Sequence, residues 1–267
     1  MEILNRTNAP FGNAVWTTID ETISEFLTKR LNLRAVVDFD ETATYTTDSI
    51  STGKTSLLSN ENGIEVLTRE PIKMVEIKKN FEISKDVIED IKRGKKDFED
   101  RAFAKVSNDF ASIENNIILY GLAQANIEGI ASHNDVKTID VKNIKEILKE
   151  VAKSLGVFNQ EFISGPYKLI VSSNTLANLY TEFFDGISLK TKLDDILGVD
   201  GIIVNQDIGD DKIMLISLRG GDFEYFSGLD VSIGFEKTNE DSVELFLLMT
   251  CAFRVVTPEA AIVLNLK

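Results

Sequence analysis

The sequence predicts an α+β fold that carries an extended hairpin and an inserted α/β lobe. Three observations predict it. Helical stripes with spacings of three and four fill much of the first 155 residues. Period-two alternation dominates the last third of the chain. Between them, short strands alternate with short helices, the pattern of a separate α/β lobe of about 80 residues.

The first helix covers 13–31. Trp16, Ile19, Ile23, Phe26, Leu27 and Leu31 share one face, and Pro10 and Gly12 fix its start. Residues 35–41 (AVVDFDE) read as a short strand. The Thr- and Ser-rich stretch that follows is weakly apolar and is broken by Gly53, Asn60 and Gly63. With its strand-like flanks it predicts an extended hairpin over 42–75 that leaves the main body. Such a hairpin is marginal by itself, and its natural stabiliser is another chain. Ser84 is placed to cap a helix to Arg93, stopped by Gly94. The longest helix is 98–122, with Phe103, Val106, Phe110, Ile113, Ile117 and Tyr120 as its seam. Asp140 is read as the cap of the next, with Gly156 after it.

The lobe follows. Gly165-Pro166 leads into the strand 167–171, Ser173-Asn174 caps a helix 175–183, and 190–197 is another helix. Strands 202–204 and 212–218 come next. In 219–235 (RGGDFEYFSGLDVSIGF), Gly220-Gly221 reads as a turn and Ser227-Gly228 as a second one. A long strand from Val243 to Val256 and an apolar run 260–264 complete what reads as one antiparallel sheet with a buried face.

Composition narrows the function. The formal net charge is −14. That balance argues against a nucleic-acid partner, which needs clustered Lys and Arg, and against an anionic membrane surface. No apolar run is long enough to span a bilayer, and no signal peptide is visible. Cys251 is the sole cysteine, so no internal disulfide forms; it reads as a small buried hydrophobe in a reducing cytoplasm.

Candidate chemistry is sparse. Ser51-Thr52-Gly53-Lys54-Thr55 ends like a phosphate-binding loop, but Asp48 stands where the pattern needs glycine. The clusters Asp207/Asp210/Asp211 and Asp38/Asp40/Glu41 lack the order of a calcium loop. Solvated turn residues are the better reading of the first, and an Asp38–Arg34 ion pair is a reading of the second. His133, the only histidine, excludes a multi-histidine metal site and leaves a serine triad a single candidate base. Asn5-Arg6-Thr7 matches a glycosylation sequon without meaning in a chain that shows no secretion signal.

Several stretches resemble the encapsulin shell proteins, the linocin or bacteriocin-like family. They are MEILNRTNAPF at the start, Trp16, Ile19-Asp20, Arg34, VVD at 36–38, GPYKLIV at 165–171, RGGDF, GLDVSIGFE and FRVVTPEAAIVL. The resemblance runs from the first residue to the last. It implies the fold of tailed-phage major capsid proteins, the Hong Kong 97 type. In the family's terms, 1–41 holds the N-terminal helix and first peripheral-domain strand, and 42–75 the extended loop. Residues 76–135 form the peripheral domain with its spine helix, 136–220 the axial domain, and 221–267 the peripheral-domain C-terminal strands.

The function implied is self-assembly into an icosahedral shell around a cargo enzyme, a ferritin-like protein or a dye-decolourising peroxidase, in the cytoplasm. The alternatives are a phage or prophage capsid protein and a bacteriocin- or protease-like enzyme. The first is usually made with a processed leader, for which the early start of the amphipathic helix leaves no room. For the second no residues are visible. The resemblance places a groove for the cargo's C-terminal targeting peptide at Leu27, Leu31, Arg34, Asp38, Leu229, Val231 and Ile233. The other reading of these side chains is core packing. It places a five-fold pore loop at Phe184, Asp185, Gly186, Ile187 and Ser188. Some relatives bind flavin beside a tryptophan; Asp86 stands at that position here, so no cofactor is carried over.

Overall fold

A computed structural model describes residues 2–267. In chain order the helices are α1 (Asn13–Arg30), α2 (Lys85–Lys92), α3 (Arg101–Tyr120), α4 (Ile147–Gln160), α5 (Ser173–Thr181) and α6 (Leu189–Leu197). The strands begin with β1 (Asp38–Asp40), β2 (Ser49–Glu61), β3 (Ile64–Lys73), β4 (Val75–Ser84), β5 (Gly121–Leu122), β6 (Ile127–Glu128) and β7 (Lys137–Val141). They continue with β8 (Tyr167–Val171), β9 (Phe183–Phe184), β10 (Ile187–Ser188), β11 (Ile202–Val204), β12 (Lys212–Ser217), β13 (Phe223–Thr238), β14 (Ser242–Val255) and β15 (Ala261–Leu266).

The chain divides into two compact units. The first comprises, among the described residues, 2–31, 40–114 and 226–252. It holds β4 and most of β13 and β14, neighbours in the order β13-β14-β4, with β14 antiparallel to β4 from Ser242↔Ser84 to Cys251↔Val75. Apolar side chains drive its packing: Phe81 of β4 meets Phe103 of α3 edge-on, with ring centroids 5.9 Å apart. On α1, Val15, Trp16, Ile19, Ile23 and Leu27 are buried, as the stripe predicts. Ser84 caps α2 by accepting the Val87 N–H at 3.3 Å. Asp86 lies in that helix's first turn, where a carboxylate meets the positive end of the dipole.

The hairpin β2–β3 belongs to this unit. Asn62 (φ 53°) and Gly63 (φ 77°) make its turn, and Glu61 pairs with Ile64, the geometry of a two-residue loop with both central residues at positive φ. Register shifts between Ser51/Thr55 and Leu57/Ser59 kink β2. The loop-like Ser51–Thr55 thus lies within a bulged strand, not between a strand and a helix. No residue of β2 or β3 is buried.

The second unit comprises residues 32–39, 115–225 and 253–267. Its sheet runs β11-β8-β12-β15-β7, with parallel pairs at β11–β8 and β15–β7 and antiparallel pairs at β12–β8 and β12–β15. Leu169, Ile170 and Val171 of β8 and Ile213 to Ile216 of β12 are almost wholly excluded from solvent, the mark of central strands covered on both faces. The peptide Gly165-Pro166, which feeds β8, is cis.

Several sequence expectations change. The C-terminal strands serve two sheets rather than one, because β15 pairs with β12 and β7 while β13 pairs with β14. Ser227-Gly228 is not a turn; β13 runs straight through it. Gly228 is needed for closeness, since a Cβ there would lie 2.6 Å from Thr250 Oγ1 and 2.8 Å from the Thr44 carbonyl. Asp140 sits in β7 and pairs with Lys267, while Asn143 caps the turn before α4 by accepting the Lys145 N–H at 3.0 Å. Helix α4 continues through Gly156 to bury Phe158. Ser172, not Ser173-Asn174, caps α5, taking the Thr175 N–H at 3.1 Å. On α3 the buried face turns away from Ile113, which is 38% exposed, toward Ala111 and Glu114. The strand read over 35–41 is shorter than expected: a 3-10 turn takes Asn32–Val36 and leaves only β1.

Candidate functional site

Two surface features and a set of candidate groove residues hold the positions expected from sequence. The first feature is the hairpin β2–β3. Leu57, Leu58, Ile64, Val66 and Leu67 are between 45% and 68% exposed along it, and Leu57 is paired with Leu67. Apolar side chains gathered on an arm without a core are not stabilised by their own subunit.

The second feature is the tip over 183–188. Sequence predicted a loop between two helices; the structure forms a small hairpin. Phe184 pairs with Ile187 and Phe183 with Ser188. Asp185 (φ 51°) and Gly186 (φ 76°) are the turn, a conformation that Asp-Gly supports better than most pairs. The Asp-Gly pair between apolar neighbours was the sequence signal for it. Phe183, Phe184 and Ile187 are 60%, 49% and 45% exposed. The Lys192 ammonium lies 5.2 Å from the Phe184 ring centroid, so the tip carries one cation near the Asp185 carboxylate's turn. Ser188 is the N-cap of α6 and accepts the Thr191 N–H at 3.2 Å, which fixes the tip's base.

Of the candidate groove residues, the first unit holds Leu27 and Leu31 at the end of α1 and Leu229, Val231 and Ile233 on β13. Leu27 is 7% exposed and Ile233 3%. Leu31, Leu229 and Val231 are half-buried. A clasp that the sequence reading missed ties these elements together. Arg6 donates to both oxygens of Asp20 on α1 at 2.8 and 2.7 Å, and its Nε donates to the Ile233 carbonyl at 2.7 Å. Its guanidinium lies over the Trp16 ring, 4.6 Å from the centroid. Asn5 Nδ2 donates to the Phe235 carbonyl at 3.3 Å. In the sequence these two residues stand only as part of a sequon and of the motif MEILNRTNAPF, with no partner indicated.

Arg34 and Asp38 belong to the second unit and have partners in it. The Arg34 guanidinium lies 4.6 Å from the Phe39 ring centroid, and Phe39 stacks on Tyr225 at 5.3 Å. Asp38 accepts the Gly221 N–H at 2.7 Å, which secures the turn Gly220-Gly221, where φ is 86° and 81°.

The carboxylates read as solvated turn residues have local partners. Asp207 accepts from Asn115 at 2.7 Å. Hydrogen bonds from Ser172 and Asn174 hold the Asp210 carboxyl below the usual aspartate range. His133 accepts the Asp135 N–H at 3.2 Å and lies 3.2 Å from Glu128. Among the described residues no group of three or more His, Cys, Asp and Glu side chains is placed to hold a metal ion. No described helix is long and apolar enough to cross a membrane.

Comparison with known proteins bears on the fold and the family. Residues 1–252 match the family described as encapsulating protein for peroxidase. The type 1 encapsulin shell protein of Brevibacterium linens is 27% identical, over 100% of both chains. The virus-like particle of Pyrococcus furiosus superimposes with a TM-score of 0.64 at 21% identity, covering 92% of this chain and 98% of the other. The capsid of the Myoviridae phage XM1 gives a TM-score of 0.60 at 9% identity, covering 88% and 91%. The fold is therefore the phage-capsid type that the motifs at both ends implied, and this chain belongs to the family of encapsulin shell proteins.

Proposed function

We propose that this chain is the repeating subunit of a closed icosahedral shell that holds a cargo enzyme by its C-terminal targeting peptide. The observation that carries the reading is the hairpin β2–β3. Its exposed leucines, isoleucine and valine have no core of their own, and no residue of either strand is buried. A second copy of the chain is the partner that would cover them in every subunit. Each contact can be modest, because closure satisfies several at once. The net charge of −14 suits a shell that must not collect nucleic acid. The proposed role is structural rather than catalytic.

For cargo, the proposal is confined to the first unit. An extended peptide would lay apolar side chains against Leu31, Leu229 and Val231, over a floor closed by Leu27 and Ile233. The family's description supports a peroxidase as the cargo class, and a ferritin-like protein is the other class proposed. Negative-stain electron microscopy of the purified chain tests the shell. Uniform closed particles are the expected result, and a monodisperse monomer at micromolar concentration would refute it. Co-expression with a fluorescent protein bearing a candidate cargo's C-terminal peptide then tests loading.

A further inference from the structure

We propose that Phe162 is an anchor by which one copy of this chain docks on the next, a proposal that rests on the shell reading above. Helix α4 ends in a Schellman motif. The Ile163 N–H returns to the Phe158 carbonyl at 2.8 Å, and the Phe162 N–H to the Asn159 carbonyl at 3.3 Å. Phe158 and Ile163, the pair that makes the motif's apolar contact, are buried at 0% and 2% exposure. Phe162 therefore occupies the left-handed position of the motif, with φ at 57°. Glycine takes that position without strain; a bulky side chain does not.

The ring gains nothing from its own subunit in return. It is 91% exposed. A strained backbone and a fully hydrated aromatic ring at one position point to a contact outside the subunit. The mount is firm. The Phe162 carbonyl accepts from Arg219 Nη1 at 3.1 Å, and Arg219 is itself held by Asp222 through Nε at 2.9 Å and Nη2 at 2.8 Å. Tyr167 donates to the Ile163 carbonyl at 2.8 Å, and Ser217 to the Ser164 carbonyl at 2.6 Å. An aromatic side chain on a preorganised backbone loses little entropy on docking, which is the character of an interface anchor. A second copy is the occupant that fits. The chain shares its fold with a virus-like particle and a phage capsid, and a closed shell sets copies of one subunit against one another.

Phe162→Gly tests this, because it relieves the backbone and does not threaten the fold. Wild-type and variant shells are dissociated with guanidinium and returned to buffer. Reassembly is followed by light scattering against subunit concentration. The variant subunit should unfold no more readily than wild type, yet need about tenfold more protein for half-assembly. Phe162→Leu should recover part of that loss. Equal assembly curves for Phe162→Gly and wild type would overturn the proposal. So would a variant that assembles normally and only loses cargo, which would make cargo the occupant. Failure of the wild-type chain to form shells at all would overturn the shell reading instead.

Discussion

Arg6 grips Asp20 with both terminal nitrogens while its Nε holds the Ile233 carbonyl, so one side chain joins the N-terminal turn, α1 and β13. The fork geometry is specific to arginine; a lysine offers one point charge and cannot make both contacts in this arrangement. The pair is partly exposed, with side-chain accessibilities of 30% and 42%, so its Coulombic part is discounted for solvent. Loss of the backbone hydrogen bond and the stacking on Trp16 adds to it. Arg6→Lys should lower the stability of the first unit by ~1 kcal/mol and Arg6→Ala by ~2 kcal/mol. Guanidinium unfolding of dissociated subunits measures both. Equal stability of Arg6→Lys and wild type would show that the fork contributes nothing.

Gly234 makes a second contact of this kind, by absence. A Cβ at Gly234 would lie 2.1 Å from Cζ of Phe246 on β14. The Lys78 ammonium lies 4.1 Å from the centroid of that Phe246 ring. Gly234→Ala should therefore destabilise by ~2 kcal/mol through overpacking. Adding Phe246→Leu should recover part of the loss, a coupling that a double-mutant cycle detects. Additive effects of the two changes would contradict the steric account.

Much of this fold was legible because its signals are local. The stripe on α1, Ser84 ahead of α2 and the apolar alternation of β14 each report on a few neighbouring residues. The errors arose where distant chain segments decide. Gly228 looks like turn chemistry, but Thr250 and Thr44 crowd it in space, and nothing near it in sequence says so. The same holds for assigning the last strand to a sheet: β15 finds β12 and β7, a choice that periodicity does not encode. Arg6 went unread for the same reason, since its partner Ile233 is over 200 residues away. Asp185-Gly186 is different, because its hairpin signal was present and the flanking strands were too short to be noticed.

The hairpin β2–β3 can be removed cleanly. Ser49 faces Lys73 at its base, and the Met74 N–H bonds the Asp48 carbonyl at 2.9 Å. Replacing residues 50–72 by Asn-Gly preserves that closure with a two-residue turn. The subunit should keep its near-ultraviolet circular dichroism and elute as a monomer, since the hairpin holds no buried residue. Intact shells from this variant would show that assembly does not depend on the arm.

Under the proposed function, the tip at Asp185 lines an opening at the five-fold axis, where a ring of carboxylates favours cations. Asp185→Asn removes the charge and keeps a residue that tolerates the positive φ, whereas Asp185→Lys would also strain the turn. With Lys192 beside Phe184, loss of Asp185 should leave the tip net positive. Oxidation of added Fe²⁺ by a ferritin-like cargo inside the shell should slow severalfold, and the free cargo should be unaffected. Unchanged uptake would remove Asp185 from any part in entry.

The proposed cargo groove would make opposite demands on Ile233 and Val231, which lie on one strand. Ile233 is 3% exposed in the chain by itself, so Ile233→Asp buries a carboxylate among apolar groups. That change should cost ~3 kcal/mol or more and reduce the yield of folded subunit, whatever binds there. Val231 shares the strand face but is half-buried, with the exposed Asp230 beside it, so a carboxylate at 231 can reach water. Val231→Asp should therefore leave shells of normal size and stability. Capture of a fluorescent protein carrying an apolar C-terminal targeting peptide should fall about tenfold, because a docked peptide would have to desolvate the new charge. Val231→Ala separates shape from charge and should reduce capture only severalfold. If Val231→Asp shells load the tagged protein as wild type does, the peptide does not lie along this strand, and α1 alone would have to supply its apolar contacts.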